Sequence, residues 1–428
     1  MNLNWSIFNF IEKYNDKYLL YNSFTNNLIE LEESDHELLV QIKSGNLDGV
    51  SPQVISDLKD NYILVESDEL LINKIKLARL STRFSSTRMN LTLAPTTACN
   101  FICPYCYEEG ADKNKTMNEQ TEDEIIKLVS SYSGLERLNV DWYGGEPLLA
   151  FDTVQSLTKK LLALPVNEYK ATLVTNGYLL DRDKILKLKE LKISQIQITL
   201  DGLEETHNAR RPHRTNKDSF SRIVKNIDDL NKLYPEAELH IRVNIDKDNA
   251  EDFFKLHAYF KDKFSNPRSF VYPAYITDFN PCKQTFCFMN RKEQADFALK
   301  NLDKFPFGRF YYPITKLGEC IARFMNSYII GPEGELYKCW CDVGEKDKIV
   351  GNLREGITNT ELYTRYMTGS DPLYDAKCTK CSYFPICNGG CAFRRLKNNQ
   401  ANINEELCTI QKDKIRDFIK AYYEDSNR

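Results

Sequence analysis

The stretch MNLTLAPTTACNFICPYCYEEG, residues 89–110, decides how the chain is read. It opens on a strand candidate, MNLTLA, and runs into Cys99, Cys103 and Cys106, with Phe101, Ile102, Pro104 and Tyr105 between them. A helical stretch follows at 118–133. Strand, cysteine loop and helix together make one βα unit with its unusual chemistry at the strand's C-terminal end.

Reading outward, the pattern repeats. Strand candidates follow at RLNVDW, YKATLVT, SQIQITL, ELHIRVNI and SFVYPAYI, with helical stretches of roughly 10 to 16 residues between them, as at 218–232. Six such units predict an α/β fold, a parallel sheet curled into a partial (β/α)6 TIM-like barrel, because eight units would be needed to close one. GGEP at 144–147 follows the second strand, TNG at 175–177 the third and DG at 201–202 the fourth, while Asn244 ends the fifth. All fall on one rim, where chemistry gathers in such folds.

The barrel occupies residues 86–305. Before it, residues 1–85 hold no cysteine. NFIEKYNDKYLLYNSFTNNLIELEE reads as two strands around a polar turn at 22–27. SDHELLVQIKSGN opens on a Ser/Asp cap as a helix, SPQVISDLKDN is a second helix with Pro52 at its first position, and YILVE is a closing strand. This layout predicts a winged-helix-like domain, either a packing extension or a module that captures a peptide along an edge strand. Residues 306–428 form a loop-rich region that carries eight of the cysteines.

The 428 residues suffice for two or three domains, and 42% apolar content supports a sizeable core. A net charge of −4 gives no general attraction to nucleic acid or an anionic membrane. No apolar run approaches the roughly 18 residues of a membrane span. The start, MNLNWSIFNFIEKYND, lacks the basic and apolar regions of a secretion signal, so a cytoplasmic protein is expected. In that reducing compartment 13 clustered cysteines suggest ligation and not disulfides. Cys282 and Cys287 fit no motif and read as structural or incidental. Three thiolates in the first loop suit three corners of a [4Fe–4S] cube with one iron left open. Zinc, which would want a fourth ligand, and buried free thiols are the alternatives.

CNFICPYCY resembles the radical S-adenosylmethionine (SAM) signature, C-x3-C-x2-C with an aromatic residue before the last cysteine. The resemblance implies a SAM-chelating cluster on Cys99, Cys103 and Cys106, and one-electron cleavage of SAM to a 5′-deoxyadenosyl radical that abstracts hydrogen from a substrate. It further implies that the carbonyls of Gly144 and Gly145, with Glu146, receive the SAM ammonium, and that Thr199 and Asp201 contact its ribose or methionine part. Arg211 corresponds to an arginine for the SAM carboxylate, with Arg210 and Arg214 as neighbours in competition. Tyr105 lies near the adenine, and Asn244 completes the set.

From Cys320 onward the spacing Cys320-x13-Gly334-x4-Cys339, then Cys378-x2-Cys381-x5-Cys387-x3-Cys391, then Cys408, resembles the seven-cysteine SPASM domain; zinc ribbons are the alternative. The resemblance implies two auxiliary [4Fe–4S] clusters, three clusters in all. Cys320, Cys339 and Cys391 would hold the first, with Cys341 a candidate fourth ligand. Cys378, Cys381, Cys387 and Cys408 would hold the second. A reductant such as flavodoxin or ferredoxin is the expected electron source.

SPASM proteins mostly modify peptides. The expected activity is therefore maturation of a ribosomally made precursor peptide, installing a thioether or carbon–carbon crosslink, with the leader held by residues 1–85. The alternative is an anaerobic sulfatase maturase making formylglycine. Such enzymes tend to place a catalytic Asp directly after the cysteine matching Cys339; here that residue is Trp340, and Asp342, two residues on, is the candidate base. An iron–sulfur electron carrier is the non-enzymatic alternative.

Overall fold

The computed structural model describes residues 3–106, 114–276, 289–304, 310–401 and 407–427, with the side chains of residues 400 and 401 left aside. Cys282 and Cys287 lie outside the described residues. Two compact units emerge: 1–84 with 290–323 and 368–428, and 85–289 with 324–367. Residues 306–428 are thus shared between both units, and the three-domain division remains a proposal.

In the first unit, β1 (Asn4–Trp5) pairs with β5 (Leu64–Val65), and β2 (Asn9–Tyr14), β3 (Lys17–Asn22) and β4 (Leu28–Leu31) form an antiparallel sheet in that order. The sequence reading placed one turn at 22–27; the structure adds a second at Asn15 and Asp16. Asn15 adopts a φ of 54°, which its short polar side chain tolerates, so two residues close a hairpin inside what reads as one strand. Helix α1 (Glu33–Lys43) starts before the expected Ser/Asp cap, because Asp35 instead accepts the Glu32 amide at 3.1 Å. Helix α2 (Pro52–Asp60) starts as read, with Ser51 Oγ accepting from the Val54 amide at 3.2 Å. Helix α3 (Asp68–Arg83) was not anticipated. Its Leu71, Ile72 and Ile75 pack with Phe8, Val65 and Phe384, while Leu19 and Tyr21 pack with Ile386, Ile415 and Ile419.

The second unit is built on β6 (Arg88–Leu93), β7 (Arg137–Trp142), β8 (Glu168–Thr175), β9 (Ile193–Leu200), β10 (Glu238–Ile245) and β11 (Phe270–Tyr275), all parallel and adjacent in that order. The crossovers carry α4 (Glu119–Ser130), α5 (Phe151–Leu162), α6 (Arg182–Glu190), α7 (Glu204–Arg210), α8 (Phe220–Leu233) and α9 (Ala250–Phe260). The six expected strands are present. A seventh, β12 (Ser327–Ile330), returns from far along the chain to lie parallel to β6, and β13 (Glu335–Tyr337), β14 (Gly351–Asn352) and β15 (Gly356–Ile357) extend it antiparallel. The sheet is open, with β11 and β15 at its edges.

Its two faces differ. Leu138, Val140 and Trp142 of β7, Ile196, Ile198 and Leu200 of β9, and Leu239, Ile241 and Val243 of β10 are buried. The alternate positions are polar and bond across strands: Asn139 Nδ2 donates to Asn90 Oδ1 at 2.8 Å and Thr172 Oγ1 to Gln195 Oε1 at 3.0 Å. Among the described residues no helix is long and apolar enough to cross a membrane.

Candidate functional site

The cysteine loop leaves β6 and is anchored by its own backbone. Ile102 N donates to Pro212 O at 3.0 Å, Arg214 N to Asn100 O at 2.9 Å and Arg214 Nε to Cys99 O at 2.8 Å. Phe101 is buried against His213 and Tyr178. On the other side, the Gly144–Gly145 turn after β7 lies directly on the loop's stem. Gly145 N donates to Thr96 O at 3.1 Å and Glu146 N to Ala98 O at 2.8 Å. A Cβ on Gly145 would stand 2.2 Å from Ala98 O, and one on Gly144, whose φ is +109°, would stand 2.6 Å from Thr96 O. The glycines are there because two backbones touch.

Glu146 serves the same scaffold. It is buried, and its carboxylate accepts from Leu148 N at 3.0 Å, Thr175 Oγ1 at 2.7 Å and Asn176 N at 2.8 Å, tying the ends of β7 and β8 together. Burial lifts its carboxyl above the ordinary range while these donors pull it back.

Cys99, Cys103, Cys106, Tyr105, Gly144, Gly145, Thr199, Arg211 and Asn244 all line one cavity of about 360 Å³ at the C-terminal ends of the parallel strands. Glu146, Asp201 and Asp342 do not line it. Burial pushes the Cys99 thiol up to about 12. Among the described residues no three Cys, His, Asp or Glu side chains converge closely enough to hold a single metal ion.

Tyr105 organises the polar side. Its hydroxyl donates to Asp201 Oδ1 at 2.8 Å and accepts from Arg211 Nη1 at 2.7 Å and Asn244 Nδ2 at 3.2 Å. One donor and two acceptor positions are thereby filled. Burial lifts the Asp201 carboxyl above its ordinary value, opposed by Arg211. The three arginines of the HNARRPHR run separate cleanly. Arg210 bonds Asp246 at 2.9 Å and faces Asp201 at 3.4 Å, and Arg214 is exposed on the Cys99 carbonyl. Arg211 alone of the three lines the cavity, and its buried Nε has no hydrogen-bond partner.

Removing the Tyr105 hydroxyl with Tyr105→Phe leaves a buried carboxylate and a guanidinium each short of a partner. Denaturant titration should show a loss of about 1–3 kcal/mol. His207, on α7, supplies a second prediction. It is fully buried, its Nδ1 accepts from the Asp201 amide at 3.4 Å, and burial, with Arg211 nearby, holds its pKa well below 6.5. The folded state therefore binds fewer protons than the unfolded one. This contribution is complete above pH 6.5 and is lost as pH falls. At one pH unit below the unfolded value it costs about 1.4 kcal/mol. Denaturation of the metal-free protein between pH 7.5 and 5.5 should show that loss in wild type and not in His207→Gln.

Sequence reasoning missed Gln197, Arg242, Tyr143, Val174, Tyr275 and Ile276, which also line the cavity, and gave Trp340 no place there. The signal existed for two of them. Gln197 and Arg242 each stand two residues before an expected site residue, Thr199 and Asn244, on the same strand and so on the same face. Arg242 Nε donates to Asn244 Oδ1 at 2.9 Å, and Gln197 Oε1 accepts from Tyr272 OH at 2.7 Å. Trp340 packs on Tyr143 with ring centroids 5.1 Å apart.

The later cysteines divide between the units. Cys339 and Cys341 belong to the second unit, where Cys341 lines the cavity beside Trp340 and the hydrogen-bonded Cys341 thiol helps push Cys339 up. Asp342 is buried, with Tyr366 OH donating to its Oδ2 at 2.6 Å, and burial pushes it up to about 7. In the first unit, Cys378 sits between Asp375 Oδ2 at 3.5 Å and Arg395 Nη1 at 3.7 Å. Cys381 and Cys387 follow on the adjoining turns, Cys391 precedes helix Ala392–Ala401, and Cys320 is exposed. Cys408 is half-buried.

Residues 93–260 match the Radical SAM superfamily model. A cysteine-type anaerobic sulfatase-maturating enzyme of Clostridium perfringens (strain 13 / Type A) is 25% identical over 357 residues, covering 74% of this chain and 92% of that protein. Among solved structures, native anSMEcpe with bound AdoMet and Cp18Cys peptide is 21% identical with a TM-score of 0.59, covering 79% of this chain and 98% of that one. Streptococcus suis SuiB bound to precursor peptide SuiA is 16% identical with a TM-score of 0.54, covering 95% of this chain and 98% of that one. Residues 93–260, which hold the cysteine loop and the Gly144–Gly145 turn, are thus a Radical SAM domain, and its likeness to the sulfatase-maturating enzyme marks the chain as an enzyme.

Proposed function

We propose that the protein is a radical SAM peptide maturase that abstracts hydrogen from a ribosomally made precursor peptide and installs a thioether or carbon–carbon crosslink. The donor set fits the cofactors. Three thiols open on one cavity together with an arginine whose buried Nε lacks a partner, beside a backbone stretch bare of Cβ atoms. Cys99, Cys103 and Cys106 would hold the cluster, which supplies the electron that cleaves SAM to methionine and a 5′-deoxyadenosyl radical. Arg211 pairs with the SAM carboxylate and the Gly144 and Gly145 carbonyls receive its ammonium. Thr199 and Asn244 border the ribose, while Asp201 and Tyr105 hold Arg211 in place. Tyr143 and Trp340 exclude water from the cavity. Cys378, Cys381, Cys387 and Cys408 hold one auxiliary cluster, and Cys320 and Cys391 supply thiolates to another. A flavodoxin or ferredoxin delivers the electrons.

The observation that carries the peptide reading is the reach of the likeness to SuiB. At 95% coverage it includes most of residues 1–84, whereas the anSMEcpe likeness covers 79%. β2 and β4 are edge strands of the N-terminal sheet, the arrangement that accepts an extended leader as an added strand. Formylglycine formation is the second reading, favoured by the sulfatase-maturating relative. Against it, Trp340 stands where a base would be needed, and an indole N–H donates but does not accept a proton.

Anaerobic incubation with SAM, dithionite and either a sulfatase-type cysteine peptide or leader-bearing peptides encoded beside the gene separates the two. A crosslink removes two hydrogens and keeps the sulfur. Formylglycine formation from cysteine removes the sulfur. Sulfur loss from the first peptide, with no change in the others, would reject the maturase reading.

A further inference from the structure

Three arginines are buried together in the first unit. Arg83 is clamped: Nε and Nη2 donate to Glu319 Oε1 and Oε2 at 2.7 and 2.6 Å, and Nη2 also to Asp371 Oδ2 at 2.7 Å, with every one of these side chains fully buried. Arg79 and Arg323 are also 0% exposed. Arg79 donates through Nη2 to Lys316 O at 3.3 Å and lies over the Phe384 ring at 5.0 Å, while its Nε and Nη1 have no hydrogen-bond partner. Arg323 donates to Ser370 Oγ and O at 3.1 and 2.7 Å, and its Nη1 has no hydrogen-bond partner.

Three guanidinium groups therefore face two carboxylates. Arginine does not shed its proton in proteins. A buried uncompensated charge costs several kcal/mol. Cys320 directly follows Glu319 in the chain, and Arg323 N donates to its carbonyl at 2.9 Å. The surplus positive charge and the three nitrogens without a hydrogen-bond partner belong to one cluster of side chains, and Cys320, joined to that cluster through Glu319 and the Arg323 amide, is an expected iron–sulfur ligand.

We propose that Arg79, Arg83 and Arg323 form the electrostatic seat of an anionic iron–sulfur centre ligated through Cys320. They are positioning residues that hold its reduction potential up and its iron in place. The inference rests on the reading of Cys320 as an auxiliary-cluster ligand. Positive charge beside a cluster favours its more negative, reduced form, so removing it lowers the potential. Removing the surplus arginine also leaves two guanidinium groups facing two carboxylates, so the metal-free fold should not suffer. A purely structural role predicts that it would.

The test uses full-length protein with Cys99, Cys103 and Cys106 changed to Ala, anaerobically reconstituted, so that all remaining iron is auxiliary. On that background Arg79→Met should lose iron to a chelator about tenfold faster, the scale of outer-shell effects on metal sites. Its EPR-monitored midpoint potential should fall, and its metal-free melting temperature should not. Arg79→Lys should restore most of both iron retention and potential, and Arg323→Met repeats the measurement at a second position. If the triple variant holds no iron, the auxiliary-cluster reading falls and the inference with it. If it holds iron whose retention and potential ignore both Met substitutions, the inference alone is overturned.

Discussion

Gly145→Ala should yield a protein that fails to load iron at Cys99, Cys103 and Cys106 and is less stable by about 3 kcal/mol, the upper end of ordinary overpacking costs. The new methyl would stand 2.2 Å from Ala98 O, 2.6 Å from Ala98 C and 2.6 Å from Thr97 O. All three are backbone atoms, so no flexible side chain can swing away. The hydrogen bonds from Gly145 N to Thr96 O and from Glu146 N to Ala98 O resist separation of the two segments. The strain must therefore move residues 96–98, and Cys99 moves with them. Gly134→Ala is the control. That glycine has a φ of +85° but open space around it, so alanine there meets only the left-handed backbone cost of about 1–2 kcal/mol and should leave iron loading intact. Iron and sulfide analysis, with denaturation of the metal-free protein, reads both. Wild-type iron in Gly145→Ala would show that the close approach does not position the cysteine loop.

Where local pattern sufficed, the sequence was informative. Period-2 and helical stretches place β6 to β11, and the rule that chemistry collects at strand C-termini brings Cys99, Gly144, Thr199 and Asn244 to one rim. It could not choose among Arg210, Arg211 and Arg214, because the choice depends on Asp246 and on the Cys99 carbonyl, both distant in the chain. Nor could it separate a carboxylate facing the cavity from one that ties two strand ends together, as Glu146 does with Thr175 and Asn176. β12 is four residues whose partner, β6, lies more than two hundred positions earlier. Nothing local specifies such a pairing. Helix α3 escaped for a physical reason. Leu71, Ile75, Arg79 and Arg83 recur every four residues along one buried stripe, and its last two members are charged. The residues that hide this helix are those of the buried ionic cluster.

That cluster sets the second large effect. Arg83→Met should destabilise the protein by about 3–5 kcal/mol, the cost of breaking a buried ion pair by removing one partner. The bidentate contact with Glu319 and the bond to Asp371 vanish together, leaving two buried carboxylates without these hydrogen-bond donors. Methionine fills much of the volume, so the loss is electrostatic and not a cavity effect. Arg83→Lys keeps a charge but not the planar fork, and should fall between the two. Denaturant midpoints of wild type and both variants measure the loss. A gap below about 1 kcal/mol, the scale of an exposed pair, would mean that the hydrogen bonds of Arg83 do not hold this buried site together.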